Sequence, residues 1–175
     1  MATVDLSIAI GGAAGQGIAT PGDILARIFV RRGLHLNAYN AYQSIVRGGH
    51  IFLTLRTSDE PVLSFGDKID IMIPLNQDTM DRHLRLMKAG SIVLYNGDKI
   101  KPAGAAQDVQ LCAFSVKELA PNIRGDLVQN TIALAAVLPA ILYYLSLYFQ
   151  LDLRAAATGL KGLPKSETRS PISSR

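Results

Sequence analysis

An apolar run near the N-terminus stops abruptly in a loop made almost wholly of glycine and alanine, and few folds accommodate that order. Residues 8–20 read IAIGGAAGQGIAT, and an amphipathic pattern typical of a helix follows them. Strand, tight loop and helix in succession predict one unit of an open α/β sheet. The loop would then lie at the carboxyl end of a strand, where backbone N–H groups and a helix N-terminus can face an anion.

The glycines of this loop are spaced as G-x-x-G-x-G, with Gly12, Gly15 and Gly17 as the three glycines. This spacing differs from the dinucleotide-binding G-x-G-x-x-G pattern, and the Lys and Ser or Thr of a P-loop do not follow it. Mg-ATP chemistry is therefore not expected, although backbone donors alone can bind a phosphate group. A tight packing turn between strand and helix explains the same residues equally well, so both interpretations stay open.

Apolar runs further along the chain predict the remaining strands. Residues 34–39 and 51–56 alternate between apolar and polar side chains and predict an antiparallel part of the sheet, with a short partner strand at 62–65. The continuous run at 70–75 is typical of a central strand covered on both faces. Residues 91–95 and 109–114 predict two more strands. The order of elements indicates an α/β fold.

Capping signals predict the helices between these strands. The first helix is expected to begin at Thr20-Pro21, or earlier at Gln16, and to end before Gly33. A second helix follows Asn76 and is expected to carry Met80, Leu84 and Met87 on one side and to end at Gly90. A short helix is predicted at 116–120 and a long apolar helix at about 126–144.

Length and composition favour one well-buried domain, which we expect to span residues 1–160. The chain has 175 residues, of which 49% are hydrophobic and 18% charged, and this excludes disorder for most of it. The net charge of +4 comes largely from the stretch after residue 153. That stretch has no aromatic residues to stack bases, so we expect a solvated polar tail at 161–175 and no nucleic-acid binding.

Cysteine content and hydropathy indicate where in the cell the protein is expected to be located. The single cysteine, Cys112, cannot hold an iron–sulfur cluster alone and is expected to be a buried structural thiol. No signal peptide is evident, so a cytoplasmic protein is expected. Residues 131–149 carry no charge and could cross a bilayer, but Pro139 and polar residues at both ends favour a helix buried in the protein. A single membrane span is the alternative.

Polar residues of the chain indicate a binding surface rather than a self-contained active site. Arg47-Gly48-Gly49-His50 places a cation beside two glycines at the start of a predicted strand, where it could bind a carboxylate or phosphate, although a solvated loop fits equally well. His35, His50 and His83 are scattered, without the spacing of metal ligands. Asp78 and Asp81 are expected to be first-turn helix acids. No nucleophile with a matched base is visible, so neither catalytic nor metal-binding residues are predicted.

Several ordered motifs together resemble the gamma domain of 2-oxoacid:ferredoxin oxidoreductases, and most closely the gamma-type region that opens the alpha subunit of 2-oxoglutarate-type enzymes. The matching segments are residues 11–17 with part of the following helix, residues 42–50 with their Arg-Gly-Gly, residues 70–76, and residues 129–134. The resemblance covers roughly residues 4–160. After residue 160 a polar tail stands where the family continues through a lysine-bearing helix.

The resemblance implies a three-layer, Rossmann-like α/β domain with a mixed, mainly parallel sheet and helices on both faces. It also implies a complex that decarboxylates a 2-oxoacid, transfers the acyl group to coenzyme A and reduces ferredoxin. Thiamine diphosphate, magnesium and iron–sulfur clusters are expected on the partner alpha and beta subunits. Alone, the chain is expected to be inactive and to self-associate through surfaces that normally meet those partners.

For this chain the resemblance implies subunit contacts and a contribution to the coenzyme A site. The candidate contacts to the phosphate groups of coenzyme A are Gly12, Gly15, Gln16, Gly17, Arg47, Gly48 and Gly49. A free-standing module that binds coenzyme A or a nucleotide is the alternative function.

Overall fold

The computed structural model describes residues 4–42, 49–104, 108–119, 128–136, 138–139 and 141. The strands are β1 (Asp5–Ala13), β2 (His35–Tyr42), β3 (His50–Ser58), β4 (Ile69–Pro74), β5 (Met87–Asn96) and β6 (Gln110–Phe114). The helices are α1 (Ala19–Arg31), α2 (Gln77–His83) and α3 (Val116–Leu119), with a 3-10 turn at Leu84–Leu86. Residues 128–136 are also helical and are called α4.

The strands form one six-stranded sheet in the order β2-β3-β1-β4-β5-β6. The pairs β1–β4, β4–β5 and β5–β6 are parallel, while β3 runs antiparallel to both β1 and β2. The sheet is therefore mixed and mainly parallel, as predicted. After β1 the chain continues toward the β2 edge of the sheet, and after β4 it continues toward the β6 edge. The boundary between β1 and β4 is therefore a topological switch point, where open α/β sheets bind ligands.

Helices cover both faces of this sheet. Successive side chains of a strand point to opposite faces, so an apolar strand presents apolar side chains to both helical layers. Ile8 and Ile10 of β1 are fully buried in a cluster that contains Phe29 of α1. Ala9 belongs to a second cluster, which contains Met80 of α2. Residues of α4 join the first cluster, so α1 and α4 share one face and α2 covers the other. The three-layer prediction is confirmed.

A glycine sets how closely α2 approaches the sheet. A Cβ atom added at Gly11 would collide with the side chains of Thr79 and Phe52. The first turn of α2 is held by Asn76, whose Oδ1 accepts a hydrogen bond from the Thr79 backbone N–H at 2.9 Å. The helix therefore rests directly on β1 and β3 at the carboxyl edge of β1.

The start of the glycine loop and the start of α1 differ from the sequence prediction. Residues 11–13 are part of β1, because they pair with residues 50–52 of β3. The helix begins at Ala19 with Ile18 at the N-cap and no side-chain cap, so the predicted Thr20 cap is wrong and Pro21 lies within the first turn. The predicted end is correct, since Gly33 adopts a φ of 79° after the last turn.

The predicted strand at 62–65 is wrong. These residues form no ladder, and side chains satisfy two of their carbonyl groups instead. Asn37 Nδ2 donates to the Val62 carbonyl at 3.4 Å, and Arg56 donates to the Ser64 carbonyl at 3.2 Å. Arg56 is itself fixed by a bidentate contact with Asp5, which raises the pKa of Arg56 and lowers that of Asp5.

The helix after Asn76 is shorter than predicted. It ends at His83, and Met87 and Gly90 lie in β5, where Met87 pairs with Ile69. Cys112 is exposed, which corrects the expectation of a buried thiol. Its strand, β6, is at the edge of the sheet, and residues 110–113 are all exposed among the residues that the structure describes.

The uncharged segment 131–149 lies only partly within the described residues. In the described parts of the chain, no helix has both the length and the apolar character that a membrane crossing needs. The predicted tail at 161–175 lies outside the described residues.

Candidate functional site

The glycine loop closes the carboxyl edge of β1 with backbone groups. Gly15 and Gly17 have φ values of 90° and 74°, a region that side chains rarely tolerate. Gln16 folds back, and its Oε1 accepts a hydrogen bond from the Ala13 N–H at 2.7 Å. The Ala14 N–H donates to the Gly49 carbonyl at 3.0 Å, which ties the loop to the start of β3.

Two adjacent residues of α4 join the loops on the two sides of the switch point. Gln129 is buried and its Nε2 donates to the Leu75 carbonyl, just after β4, at 2.7 Å. Asn130 Nδ2 donates to the Gly17 carbonyl at 3.0 Å. Gly17 leaves room for this contact, because a Cβ atom there would collide with the Asn130 amide. The position of each loop therefore depends on α4.

A cavity of about 270 Å³ opens beside the glycine loop on the side of α1, and we call it the α1-face cavity. Its walls are mostly apolar or backbone, with a polar contribution from Asn40 and Tyr42. The lining residues are Ala13, Gly15, Gly17, Ile18, Ala19, Asn40, Tyr42 and Ile51. Asn40 Nδ2 donates to Tyr42 Oη at 2.7 Å, whereas the buried Asn40 Oδ1 has no partner among the described residues.

The residues singled out in the sequence as candidate phosphate contacts are only partly described by the structure. Gly12 lies in β1, while Gly15, Gln16 and Gly17 form the loop, and Gly15 and Gly17 line the α1-face cavity. Gly49 is brought to this loop by the hydrogen bond to Ala14. Arg47 and Gly48 lie outside the described residues.

On the opposite face, two histidines that the sequence analysis treated as scattered form a pair. His50 Nε2 and His83 Nε2 are 2.8 Å apart, and the angle between the two ring planes is 15°. One imidazole therefore donates N–H to the lone pair of the other. Asp78 Oδ2 lies 3.3 Å from His50 Nδ1 without the alignment of a hydrogen bond, and that nitrogen is buried with no other partner in the described chain.

Neighbouring groups fix this pair and keep it neutral. The Phe52 ring stacks on His83 with a centroid separation of 3.6 Å. Burial, together with the smaller effects of His50, Arg82 and Arg85, lowers the pKa of His83 to about 4. Burial also lowers the pKa of His50, against the opposing effect of Asp78.

Asp78 is engaged by Arg82, whose Nε donates to its Oδ1 at 2.6 Å. Asp78 lies in the first turn of α2, as predicted, whereas Asp81 lies beyond it and accepts from Gln77.

A cleft of about 490 Å³ opens at the pair, and we call it the α2-face cleft. It is lined by His50, Asp81, Arg82, His83 and Arg85. Sequence reasoning missed it because its histidines are 33 residues apart on β3 and α2. The sequence signal for it is that His50 directly precedes the predicted strand at 51–56, while His83 lies in the helix predicted after Asn76. Among the described residues, no group of three or more His, Cys, Asp or Glu is arranged to hold a metal ion.

Comparison with known proteins gives one family. The sequence model described as pyruvate ferredoxin/flavodoxin oxidoreductase matches residues 7–156. A curated relative, the 2-oxoacid:ferredoxin oxidoreductase subunit alpha of Sulfolobus sp, is 35% identical over 91 residues, which cover 52% of this chain and 14% of that protein. The matched region is thus about one seventh of the length of this relative.

Two solved structures share the fold. The gamma subunit of keto/oxoacid ferredoxin oxidoreductase from Geobacter sulfurreducens superposes with a TM-score of 0.62 at 27% identity, covering 75% of each chain. The 2-oxoglutarate:ferredoxin oxidoreductase of Magnetococcus marinus, solved with 2-oxoglutarate, coenzyme A and succinyl-CoA bound, gives a TM-score of 0.69 at 23% identity. It covers 83% of this chain and 27% of that one.

Proposed function

Because the chain belongs to the pyruvate ferredoxin/flavodoxin oxidoreductase family, we propose that it is the gamma-type domain of a 2-oxoacid:ferredoxin oxidoreductase. In the proposed assembly a 2-oxoacid loses carbon dioxide, its acyl group passes to coenzyme A, and the released electrons reduce ferredoxin. The observation that carries this proposal is the match to a gamma subunit over 75% of both chains. Thiamine diphosphate, magnesium and iron–sulfur clusters belong to partner alpha and beta subunits in this proposal.

The role of this chain in the proposed assembly is to contact its partners and coenzyme A. Its candidate residues for the phosphate groups of coenzyme A are Gly12, Gly15, Gln16, Gly17, Arg47, Gly48 and Gly49. Coenzyme A supplies the thiol that accepts the acyl group, and the chain itself supplies no reacting atom.

Three features of the loop region fit such a ligand. A Cβ atom at Gly15 would meet nothing within 4 Å, so the loop backbone faces open space there. The α1-face cavity lies directly beside it, and Asn40 and Tyr42 contribute polar side chains to its lining. Backbone N–H groups in a glycine-rich turn bind phosphate without a cationic side chain. In this proposal Arg47 adds a charge-assisted contact.

Assembly is tested by co-expressing the full chain with candidate thiamine-binding subunits and isolating the complex through a tag on this chain. We expect a stable complex that reduces ferredoxin only when both a 2-oxoacid and coenzyme A are present. The chain alone is expected to show no turnover with thiamine diphosphate, coenzyme A and an electron acceptor. Turnover by the isolated chain would overturn the proposal.

The coenzyme A contact is tested separately in that complex with Arg47→Gln. Loss of one charge-assisted phosphate contact should raise KM for coenzyme A roughly tenfold with little change in kcat, since such contacts are worth about 1.5–3 kcal/mol. The matched control is Arg32→Gln, at the exposed C-terminal end of α1, which removes the same charge at the other edge of the sheet. Equal KM values in the two variants would remove Arg47 from the site.

The alternative function is a free-standing module that binds coenzyme A or a nucleotide, and the α1-face cavity is the observation in its favour. Isothermal titration of the isolated chain separates the two. Micromolar binding of coenzyme A together with failure to co-purify any thiamine-binding subunit would favour the module. Binding that appears only in the assembled complex would favour the gamma-type domain.

A further inference from the structure

We infer that the α2-face cleft is a second anion site, which binds a phosphate-type dianion through Arg85 and His83 and takes up one proton as it binds. This inference concerns the face of the sheet opposite to the α1-face cavity and does not depend on the proposed function. It is drawn from three observations, which are the histidine pair, the charges around that pair and the open volume of the cleft.

The charges around the cleft leave one cation available to a ligand. Arg82 is held by Asp78 at 2.6 Å, and Asp81 accepts a hydrogen bond from Gln77 at 2.8 Å. Arg85 is exposed, lines the cleft and has no ion pair within the described residues. Two arginines and two carboxylates balance at neutral pH, so a full positive charge in the cleft requires protonation of a histidine.

The histidine pair is arranged to accept that proton. With a proton on Nδ1, which lies 3.3 Å from Asp78 Oδ2, His50 presents the Nε2 lone pair to the Nε2–H of His83. His83 Nδ1, which has no partner in the described chain, is then free to accept a proton from solvent. Protonated His83 keeps its hydrogen bond to His50 and gains an Nδ1–H donor for the anion. Stacking on Phe52 holds the His83 ring in this orientation.

The sign of the pH dependence follows from the groups that surround His83. Burial has the largest effect and opposes protonation, as do His50 on β3, Arg82 on α2 and Arg85 on the 3-10 turn, while Asp78 favours it. Together these effects lower the pKa to about 4. A bound dianion favours the protonated form and raises that pKa. Binding therefore tightens as the pH falls toward 4, by up to about tenfold per pH unit for one proton.

Sulfate is the probe, because it mimics phosphate and does not itself titrate between about pH 5 and pH 7.5. The full chain with 15N-labelled histidines is titrated with sodium sulfate at constant ionic strength, and the ring nitrogens are followed by NMR. We expect saturable shifts at His83 and His50, and affinity that increases as the pH is lowered. Absence of saturable shifts at His83 would overturn the inference.

Two variants and a control separate the site from general charge effects. Arg85→Gln changes an exposed residue and should weaken sulfate binding about fivefold to tenfold. His83→Gln should abolish the pH dependence. Arg27→Gln removes the same charge from the exposed surface of α1 and should leave binding unchanged. Equal weakening by Arg85→Gln and Arg27→Gln, or a pH dependence that survives His83→Gln, would identify an adventitious ion only.

A final titration distinguishes the sources of the phosphate group. Displacement of sulfate from His83 by coenzyme A would assign the cleft to a phosphate of coenzyme A. Sulfate binding that coenzyme A leaves unchanged would assign it to a different phosphorylated ligand. Either result supports the site, and both can be obtained whether or not the chain assembles with thiamine-binding subunits.

Discussion

The α1-face cavity and the α2-face cleft lie back to back at the same edge of the sheet and are built from opposite chemistry. Ile51 of β3 lines the cavity, and the preceding residue, His50, lines the cleft. The cavity has backbone groups, apolar walls and one buried amide, whereas the cleft has two histidines and three charged side chains. The alternation of a single strand therefore separates a site sensitive to backbone shape from one sensitive to charge and pH.

The largest expected effect on stability comes from Gly11, the residue of β1 that allows α2 to approach the sheet closely. Gly11→Val should destabilise the chain by about 3 kcal/mol, because the added side chain collides with Thr79 and Phe52 and pushes α2 off the sheet. Urea unfolding measures the loss. The same variant should shift the His50–His83 NMR signals while leaving the signals of the glycine loop in place.

The control for this prediction is Thr54→Val, on the same face of β3 at a partly buried position. It introduces a β-branched apolar side chain without added volume and should change the free energy of unfolding by less than about 0.5 kcal/mol. A comparable loss in both variants would show that the face tolerates no substitution and that the tight approach at Gly11 is not the cause.

A smaller effect is expected at Gln129, which belongs to the α1 face. Gln129→Leu should destabilise the chain by about 2 kcal/mol, because it removes the donor to the Leu75 carbonyl. The glycine loop should also exchange its amide hydrogens faster, since α4 holds it through Asn130. Ala135→Gln, at an exposed position of α4, should leave both measurements unchanged. Normal exchange in Gln129→Leu would mean that α4 does not position the loop.

Sequence patterns predicted the central strands of the sheet better than the end of β1 or the exposure of its edge strand. The apolar run before the glycine loop and the run at 70–75 are buried on both faces, so their pattern alone indicated central strands. The end of β1 was missed because Gly11 and Gly12 suggest a loop, while pairing with β3 and packing under α2 extend the strand to Ala13. Cys112 was misjudged because an apolar run does not reveal that its strand lies at the sheet edge.

The two sites also differ in how far their residues could be predicted from the sequence. The glycine loop is one short segment that the sequence itself displays, and the structure brings Gly15, Gly17 and Gly49 to one edge. The α2-face cleft joins residues 33 positions apart, and no local pattern predicts that His50 and His83 meet. Long-range pairing is fixed by the register of β3 against β1, which only the fold supplies.

Within the glycine loop, Gly17 should be more sensitive to substitution than Gly15. Both have positive φ, so an alanine at either position strains the backbone at a cost of about 1 kcal/mol. Only at Gly17 does the new Cβ atom also collide with the Asn130 amide. Gly17→Ala should therefore destabilise the chain by roughly 1 kcal/mol more than Gly15→Ala in urea unfolding. Equal losses would show that Asn130 adapts and that its contact with Gly17 is loose.

The smallest expected effect is a pH dependence of folding stability that arises from His83 on the α2 face and not from the α1 face. The pKa of His83 is lowered to about 4 in the folded chain, below the ordinary imidazole value of 6.5, so the unfolded chain binds the proton more readily between these values. Stability should therefore fall as the pH drops from 6.5 to 4, by about 1 kcal/mol once solvent screening of this half-buried ring is allowed for. His83→Gln should remove that part of the decline, whereas Gly15→Ala, on the other face, should keep it. A decline of unchanged size in His83→Gln would assign the pH dependence to other groups, with carboxylates such as Asp5 expected to act only near their own lowered pKa.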